Sequence, residues 1–177
     1  MKVDNRIELV KGDITKLEVD AVVNAANKSL KGGGGVDGAI HRAAGPILHE
    51  QCMMIINKMG GELPVGEAAI TQAGNMPCKY VIHTVGPIWR GGNKGEDRFL
   101  IKAYRSSLQL AVDFGLKTVA FPNISTGIYG FPKDKAAEIA VNEVNRFLSE
   151  NNFIEKVIFC CFEDDNYELY RNLIESK

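Results

Sequence analysis

The chain has 177 residues, 45% hydrophobic and 24% charged, with a formal net charge of -1. That length buries one sizeable core and is short for two, so a single domain over residues 1–177 is expected. A charge so close to zero excludes a whole-chain electrostatic footprint for nucleic acid or an anionic membrane, and neither is indicated as a partner.

Ile7 to Val10 alternates like a strand and stops at Gly12-Asp13, and Asp20 to Asn24 is a short apolar run suited to a sheet covered on both faces. Val36 to Ala44 and Pro46 to Met59 read as two helices split at Gly45-Pro46, with Pro46 at the first helical position of the second. Glu67 to Ala73 and Lys79 to Val85 are strands joined by the turn-forming Gly74-Asn75-Met76-Pro77. A loop from Gly86 to Gly95 follows, in which Trp89 to Lys94 is expected as a solvated turn, with contact to a protein substrate or RNA as the alternative. Asp97 to Phe114 carries Ile101, Tyr104, Leu108, Ala111 and Val112 at helical spacing. Thr118 to Phe121 is the next strand, Ser125 to Phe131 a second glycine-bearing loop, and Pro132 opens a helix with the stripe Ala136, Ala140, Val144, Phe147 and Leu148. Lys156 to Cys160 forms the last strand and Asp165 to Ile174 a closing helix. The alternation predicts an α/β fold, a three-layer α/β/α sandwich around a largely parallel sheet. The two successive strands at 67–73 and 79–85 make that sheet mixed.

The cysteines (52, 78, 160 and 161) form no CxxC pair, and the histidines at 41, 49 and 83 add no metal-ligand spacing. No metal and no other cofactor is expected. Cys160 and Cys161, adjacent in a strand, should face opposite ways. No signal peptide opens the sequence, and no stretch approaches the roughly 18 apolar residues of a membrane span, so the reducing cytoplasm is the expected compartment.

Four glycines, Gly32 to Gly35, run into Val36-Asp37-Gly38. Such a run is unfavourable for stability and suits a backbone that must approach a ligand closely, most often phosphate oxygens. Gly33, Gly35 and Gly38 satisfy G-x-G-x-x-G, but the preceding strand ends near Asn24, too far upstream for a dinucleotide fold. A Walker loop needs Gly-Lys-Ser/Thr after its glycines, whereas Lys28-Ser29 and Lys31 precede them. The second loop, Pro122 to Gly130, passes from strand to helix and is rich in Ser, Thr and Gly, the composition of an anion nest. Gly127 and Gly130 also suit simple turns. Ligands of open α/β sheets bind beyond the carboxyl ends of the strands, so two such loops at one end suit a diphosphate.

Val10 to Thr15, Asn24 to Asn27, Gly32 to Ile40 and Ile124 to Gly130, in register with His83-Thr84-Val85-Gly86-Pro87, resemble the signature blocks of a macrodomain of the MacroD type. The resemblance spans nearly the whole chain. It implies binding of ADP-ribose and hydrolysis of esters on its distal ribose, with O-acetyl-ADP-ribose and mono-ADP-ribosylated Asp or Glu side chains of proteins as substrates. A non-catalytic ADP-ribose reader and a nucleic-acid or protein regulator are the alternatives. Added cysteine and histidine ligands of the zinc-containing branch are absent.

By resemblance, Asp13 accepts a hydrogen bond from the adenine amine and Ile14 donates its N–H to the ring; Asp13 also suits a plain turn. Phe162 matches the position of an aromatic ring lying on adenine, a stack of roughly 1–3 kcal/mol, or else it packs into the core. Ser125, Thr126, Gly127, Ile128 and Tyr129 wrap the diphosphate through backbone N–H groups worth about 1.5–3 kcal/mol each. Tyr129 borders the distal ribose, or alternatively fills a gap beside Phe131. Gly35 and Val36 pass near the distal ribose. Asn27 and Asp37 are the catalytic candidates: they hold the distal ribose and an attacking water, with Asp37 orienting the water and the substrate phosphate sharing its proton. An ordinary Asp, with a pKa near 3.9, is a weak base at neutral pH unless burial raises it. His41, one helical turn after Asp37, is read as an ordinary helix contact, and His49 and His83 as surface or core residues. Side chains added at Gly34 or Gly35 are expected to impair turnover more than binding.

Overall fold

Six strands form one sheet in the order β1-β6-β5-β2-β4-β3 in the computed structural model, which describes residues 2–175. The expected domain range of 1–177 extends past these bounds at residues 1, 176 and 177. The strands are β1 (Ile7–Lys11), β2 (Ala21–Ala25), β3 (Ala68–Gln72), β4 (Tyr80–Thr84), β5 (Thr118–Phe121) and β6 (Lys156–Cys161). Between and after them lie α1 (Gly35–Ala44), α2 (Pro46–Lys58), α3 (Glu96–Asp113), α4 (Lys133–Glu150) and α5 (Asp164–Glu175). All neighbouring strands are parallel except β3 and β4, which run antiparallel. The sheet is therefore mixed and largely parallel, as the succession of elements predicts. A 3-10 turn at Ile14–Lys16 is an addition, since three residues are too short to register as a period.

Alternation along each strand divides the core in two. Ala21, Val23, Val119, Phe121, Val157, Phe159 and Cys161 pack against Leu108 of α3, Val144 of α4 and Tyr170 of α5. Val22, Val81, Ala120, Ile158 and Cys160 face Ile40 of α1 and Leu48 of α2. Cys160 and Cys161 thus lie on opposite faces. Burying a side chain such as Leu48 or Leu108 contributes about 1.5–3 kcal/mol, and both are fully buried. An aromatic line ties the larger core together: Tyr104 to Phe121 at 4.9 Å, Phe121 to Phe159 at 6.2 Å, and Phe159 to Tyr170 at 5.0 Å between ring centroids. No helix among the described residues is long and apolar enough to cross a membrane.

Two neighbouring strands decide where a ligand can sit. β2 leads into α1 on one face, and β5 leads into α4 on the other. Their pairing covers only Ala21 with Val119 and Val22 with Ala120. Where adjacent parallel strands send their helices to opposite faces, the loops diverge and leave a crevice beyond the strand ends.

The loop before α3 is solvated from Arg90 to Lys94, as expected, and its backbone is in addition tied to the protein. Glu96, buried at the start of α3, accepts N–H groups from Arg90 (2.8 Å), Gly92 (2.9 Å) and Lys94 (2.6 Å). Half-buried Trp89 packs its ring against Phe131, tilted by 58° with centroids 4.8 Å apart, and donates its backbone N–H to the Tyr129 carbonyl at 2.8 Å. Glu96 thereby fixes a loop that backs the glycine-bearing loop after β5. Burial opposes its charge, but the converging N–H groups outweigh this and pull its carboxyl from 4.5 down to about 2. A carboxyl depressed in the folded state stabilises above its unfolded pKa and loses that contribution as pH falls through the folded one. Melting temperatures of the native protein should therefore drop between about pH 5 and about pH 2, and Glu96→Gln, less stable at neutral pH, should show a shallower drop. Parallel curves for the two proteins in differential scanning calorimetry would argue against this role.

Candidate active site

A cleft of about 840 Å³ opens beyond the carboxyl ends of β1, β2, β5 and β6. Asp13, Ile14, Asn27, Gly35, Val36, Asp37, Ser125, Thr126, Gly127, Ile128, Tyr129 and Phe162 all line it. They arrive from five separate segments, and only the crossing of the sheet brings them together. A second hollow of about 710 Å³ lies beside Pro46, Gly74 and Lys79, and no buried polar side chain lines it. The described residues contain no group of three or more His, Cys, Asp or Glu placed to hold a metal ion.

The loop after β5 presents bare backbone donors. Its carbonyls are tied back to the protein: Ser125 O accepts from Phe131 N (2.9 Å), Gly127 O from Gly130 N (3.0 Å), and Tyr129 O from Trp89 N (2.8 Å). Among the described residues, the N–H groups of Ser125 to Tyr129 donate to no protein acceptor. In a trans peptide C=O and N–H point opposite ways, so the Thr126 and Ile128 amides, which follow the tied carbonyls of Ser125 and Gly127, turn away from these bonds. Ser125 adopts a positive φ of 69°, which makes the loop turn sharply enough to gather its amides. Its hydroxyl rests against Gly86, where an added Cβ would stand 2.2 Å from Ser125 Oγ. The start of α1 faces the same cleft, and its first N–H groups have no side-chain cap.

Within the glycine run the close packing is at Gly33 rather than at Gly34 or Gly35. A Cβ on Gly38 would meet the Gly33 carbonyl oxygen at 2.5 Å, and one on Gly33 would meet Asp37 Oδ2 at 3.4 Å and Asn27 Nδ2 at 3.7 Å. At Gly34 and Gly35 an added Cβ would enter open space, although Gly35 holds a positive φ of 58°. These two present backbone to the cleft itself.

Asp37 is 6% exposed, in the first turn of α1. Asn24 Nδ2 donates to its Oδ1 at 2.8 Å, and His41 Nε2 stands 3.4 Å from the same oxygen. Burial pushes its carboxyl above the ordinary carboxylate value, against the Asn24 hydrogen bond and the nearby His41 ring, which both pull it down. The raised value moves the group toward the range in which a carboxylate accepts protons. His41 packs beneath Gly32, whose Cβ would lie 3.6 Å from its ring, and is not part of the cleft wall.

Asn27 braces the loop: its Nδ2 donates to Gly32 O at 2.9 Å, and its Oδ1 accepts from Ser29 Oγ at 2.8 Å. One N–H and one lone pair remain for a ligand. Asp13 caps the 3-10 turn, its Oδ1 accepting from Thr15 N (3.0 Å) and Thr15 Oγ1 (2.7 Å). The Thr15 hydroxyl bond holds its carboxyl below the usual range. The turn role and an open Oδ2 therefore coexist. Phe162 is 77% exposed, so its ring stands on the cleft rim and not in the core. Trp89 fills the space beside Phe131, leaving half-buried Tyr129 on the cleft wall.

Two buried residues linked to Asp37 escape the sequence reading as site residues, Asn24 and His83, both 0% exposed. The available signal was a polar Asn inside the apolar run of β2, since a buried amide demands partners.

Comparison with known proteins follows the same line. The family model described as Macro domain matches residues 23–140. The O-acetyl-ADP-ribose deacetylase 1 of Pantoea vagans is 54% identical over 169 residues, covering 96% of this chain and 98% of that relative. The O-acetyl-ADP-ribose deacetylase of Escherichia coli is 53% identical, covering 96% and 95%. Among solved structures, a mutant Oceanobacillus iheyensis macrodomain with ADPR superposes with a TM-score of 0.91 at 44% identity, covering 97% of this chain and 95% of that one. The Trypanosoma brucei macrodomain in complex with ADP-ribose gives 0.87 at 41%, covering 96% and 69%. With its fold, its two backbone cradles and these similarities in agreement, the chain belongs to the macrodomain family.

Proposed function

We propose that this chain binds ADP-ribose and hydrolyses esters of its distal ribose, both O-acetyl-ADP-ribose and the links from mono-ADP-ribose to Asp or Glu side chains of proteins. The observation that carries the reading is a buried carboxylate, Asp37, at one end of a cleft whose donors are unpartnered backbone amides. The adenine lies on Phe162, its amine donating to Asp13 Oδ2 and its ring accepting from the Ile14 N–H. The diphosphate takes the amides of Ser125 to Tyr129. The distal ribose reaches Asn27, Gly35 and Val36, with its ester beside Asp37.

In the reaction a water held between Asp37 and a phosphate oxygen attacks the ester carbonyl. Its proton passes to these acceptors as the tetrahedral intermediate forms. Collapse breaks the acyl–oxygen bond, and the ribose oxygen takes a proton, leaving carboxylic acid and free ADP-ribose. An ester leaving group needs less basic assistance than an amide, which matches a carboxylate whose basicity is raised by burial.

Asp37→Ala should lower kcat on O-acetyl-ADP-ribose by at least about 100-fold while ADP-ribose binding in calorimetry stays within about tenfold, a transition-state effect. Equal turnover in the two proteins would remove Asp37 from the mechanism, and no turnover in either would make the chain a reader. The acid limb of kcat/KM should have its midpoint above 3.8, the ordinary value of an aspartate, because burial raises Asp37; a pH–rate profile with a midpoint below it would count against the assignment. Gly34→Ala, which adds a Cβ to open cleft without a positive-φ penalty, should reduce kcat/KM by about tenfold or more with a smaller loss of ADP-ribose affinity.

A further inference from the structure

Asp37 is one end of a polar chain that runs away from the cleft into the sheet. Asn24 of β2 and His83 of β4 are side by side in the parallel register, and Thr71 of β3 is the next polar side chain. All three are buried, Thr71 at 4% exposure. Asn24 Nδ2 lies 2.8 Å from Asp37 Oδ1 and 3.2 Å from His83 Nδ1. His83 Nε2 lies 3.0 Å from Thr71 Oγ1, with Cys52 Sγ beyond at 3.8 Å.

Chemistry assigns every proton in this chain. A flipped Asn24 amide would set its oxygen against an ionised carboxylate, so the nitrogen faces Asp37. Asn24 Oδ1 has no hydrogen-bond partner among the described residues, so nothing on its other side dictates the orientation. The amide's second N–H then points to His83 Nδ1, which must be an acceptor. His83 consequently carries its proton on Nε2 and gives it to Thr71 Oγ1. Burial, with a smaller contribution from His41, pushes the His83 pKa down to about 3, so the ring stays neutral and can hold this single tautomer.

We propose that His83 and Asn24 are positioning residues that clamp Asp37 through Oδ1 and so aim Oδ2 at the reacting end of the cleft. Oδ2 faces the glycine run, 3.4 Å from where a Gly33 Cβ would stand. A carboxylate held at one oxygen keeps a fixed rotamer, which a water-orienting group requires within a few tenths of an ångström. The backbone of β2 and β4 sets the spacing of the clamp, so it does not depend on the loops that line the cleft. This inference rests on the reading of Asp37 as the group that orients the water.

Two experiments test it separately. In the native protein, 15N NMR of the histidine side chains near pH 7 should show His83 protonated on Nε2 alone; a proton on Nδ1 would overturn the chain, whatever Asp37 does. In kinetics, His83→Leu should lower kcat by at least about 20-fold with KM and ADP-ribose affinity within about threefold. His83→Asn, which restores an acceptor near the place of Nδ1, should recover kcat to within about fivefold of the native enzyme. A His83→Leu kcat within about threefold of native, or a His83→Asn enzyme as slow as His83→Leu, would show that packing alone is at stake. If His83→Leu fails to fold, the tautomer and the His83→Asn rate decide. Full turnover in Asp37→Ala with the Nε2 tautomer intact would locate the failure in the reading of Asp37 and not in the chain.

Discussion

The molecule depends on how β2 and β5 part company. They lie side by side at the centre of the sheet, pair over two residue couples, and then send their chains to opposite faces. The space that opens between the diverging loops is the cleft. The cleft is thus a result of topology, and the aromatic line from Tyr104 to Tyr170 and the aliphatic layer around Leu48 keep the two layers apart. Both loops that leave this junction carry the unpartnered amides.

Lys28 and Lys31 of the loop after β2 do not line the cleft, and Arg42 of α1 is the one cation in its wall among the described residues. An anionic ligand beside a buried carboxylate would be repelled, and a helix start offers only about 0.3–1 kcal/mol of compensation. Several charge-assisted bonds of about 1.5–3 kcal/mol each exceed that term, which explains why the amides of two loops converge and why their carbonyls are tied away. Asp37 remains ionisable because Asn24 donates to it, and remains a better base than an exposed aspartate because burial prevails over that bond. Open backbone amides and the buried carboxylate of Asp37 thus share one cleft but come from different segments.

Much of the fold was legible from local pattern. The paired runs at 67–73 and 79–85 predicted a mixed sheet because two strands so close in sequence meet most simply as an antiparallel pair, and β3 with β4 does so. The glycine run and the Ser125–Tyr129 loop were legible as cleft-lining segments because backbone that turns sharply and leaves its amides open demands residues of a restricted kind. Phe162 was ambiguous: an aromatic residue after an apolar strand suits core and rim equally, and only its 77% exposure separates them. Arg90 to Lys94 is exposed as its composition suggested, but its anchoring was not legible, because Glu96 and Phe131 act through backbone contacts and a tilted ring contact that no periodicity records.

Motif determined the family and the two loops that line the cleft, since those features are written in consecutive residues with special backbone requirements. Strand order was decided only by the folded chain, because it follows from which apolar faces pack together over distances of more than a hundred residues, as β1 does with β6. The same holds for the environment of Asp37. Asn24, only 13 residues away, reaches Asp37 across the turn from β2 into α1, and His83 joins Asn24 through the register of β2 and β4. A pKa depends on burial and on donors in three dimensions, so the aspartate was visible in the sequence and its basicity was not.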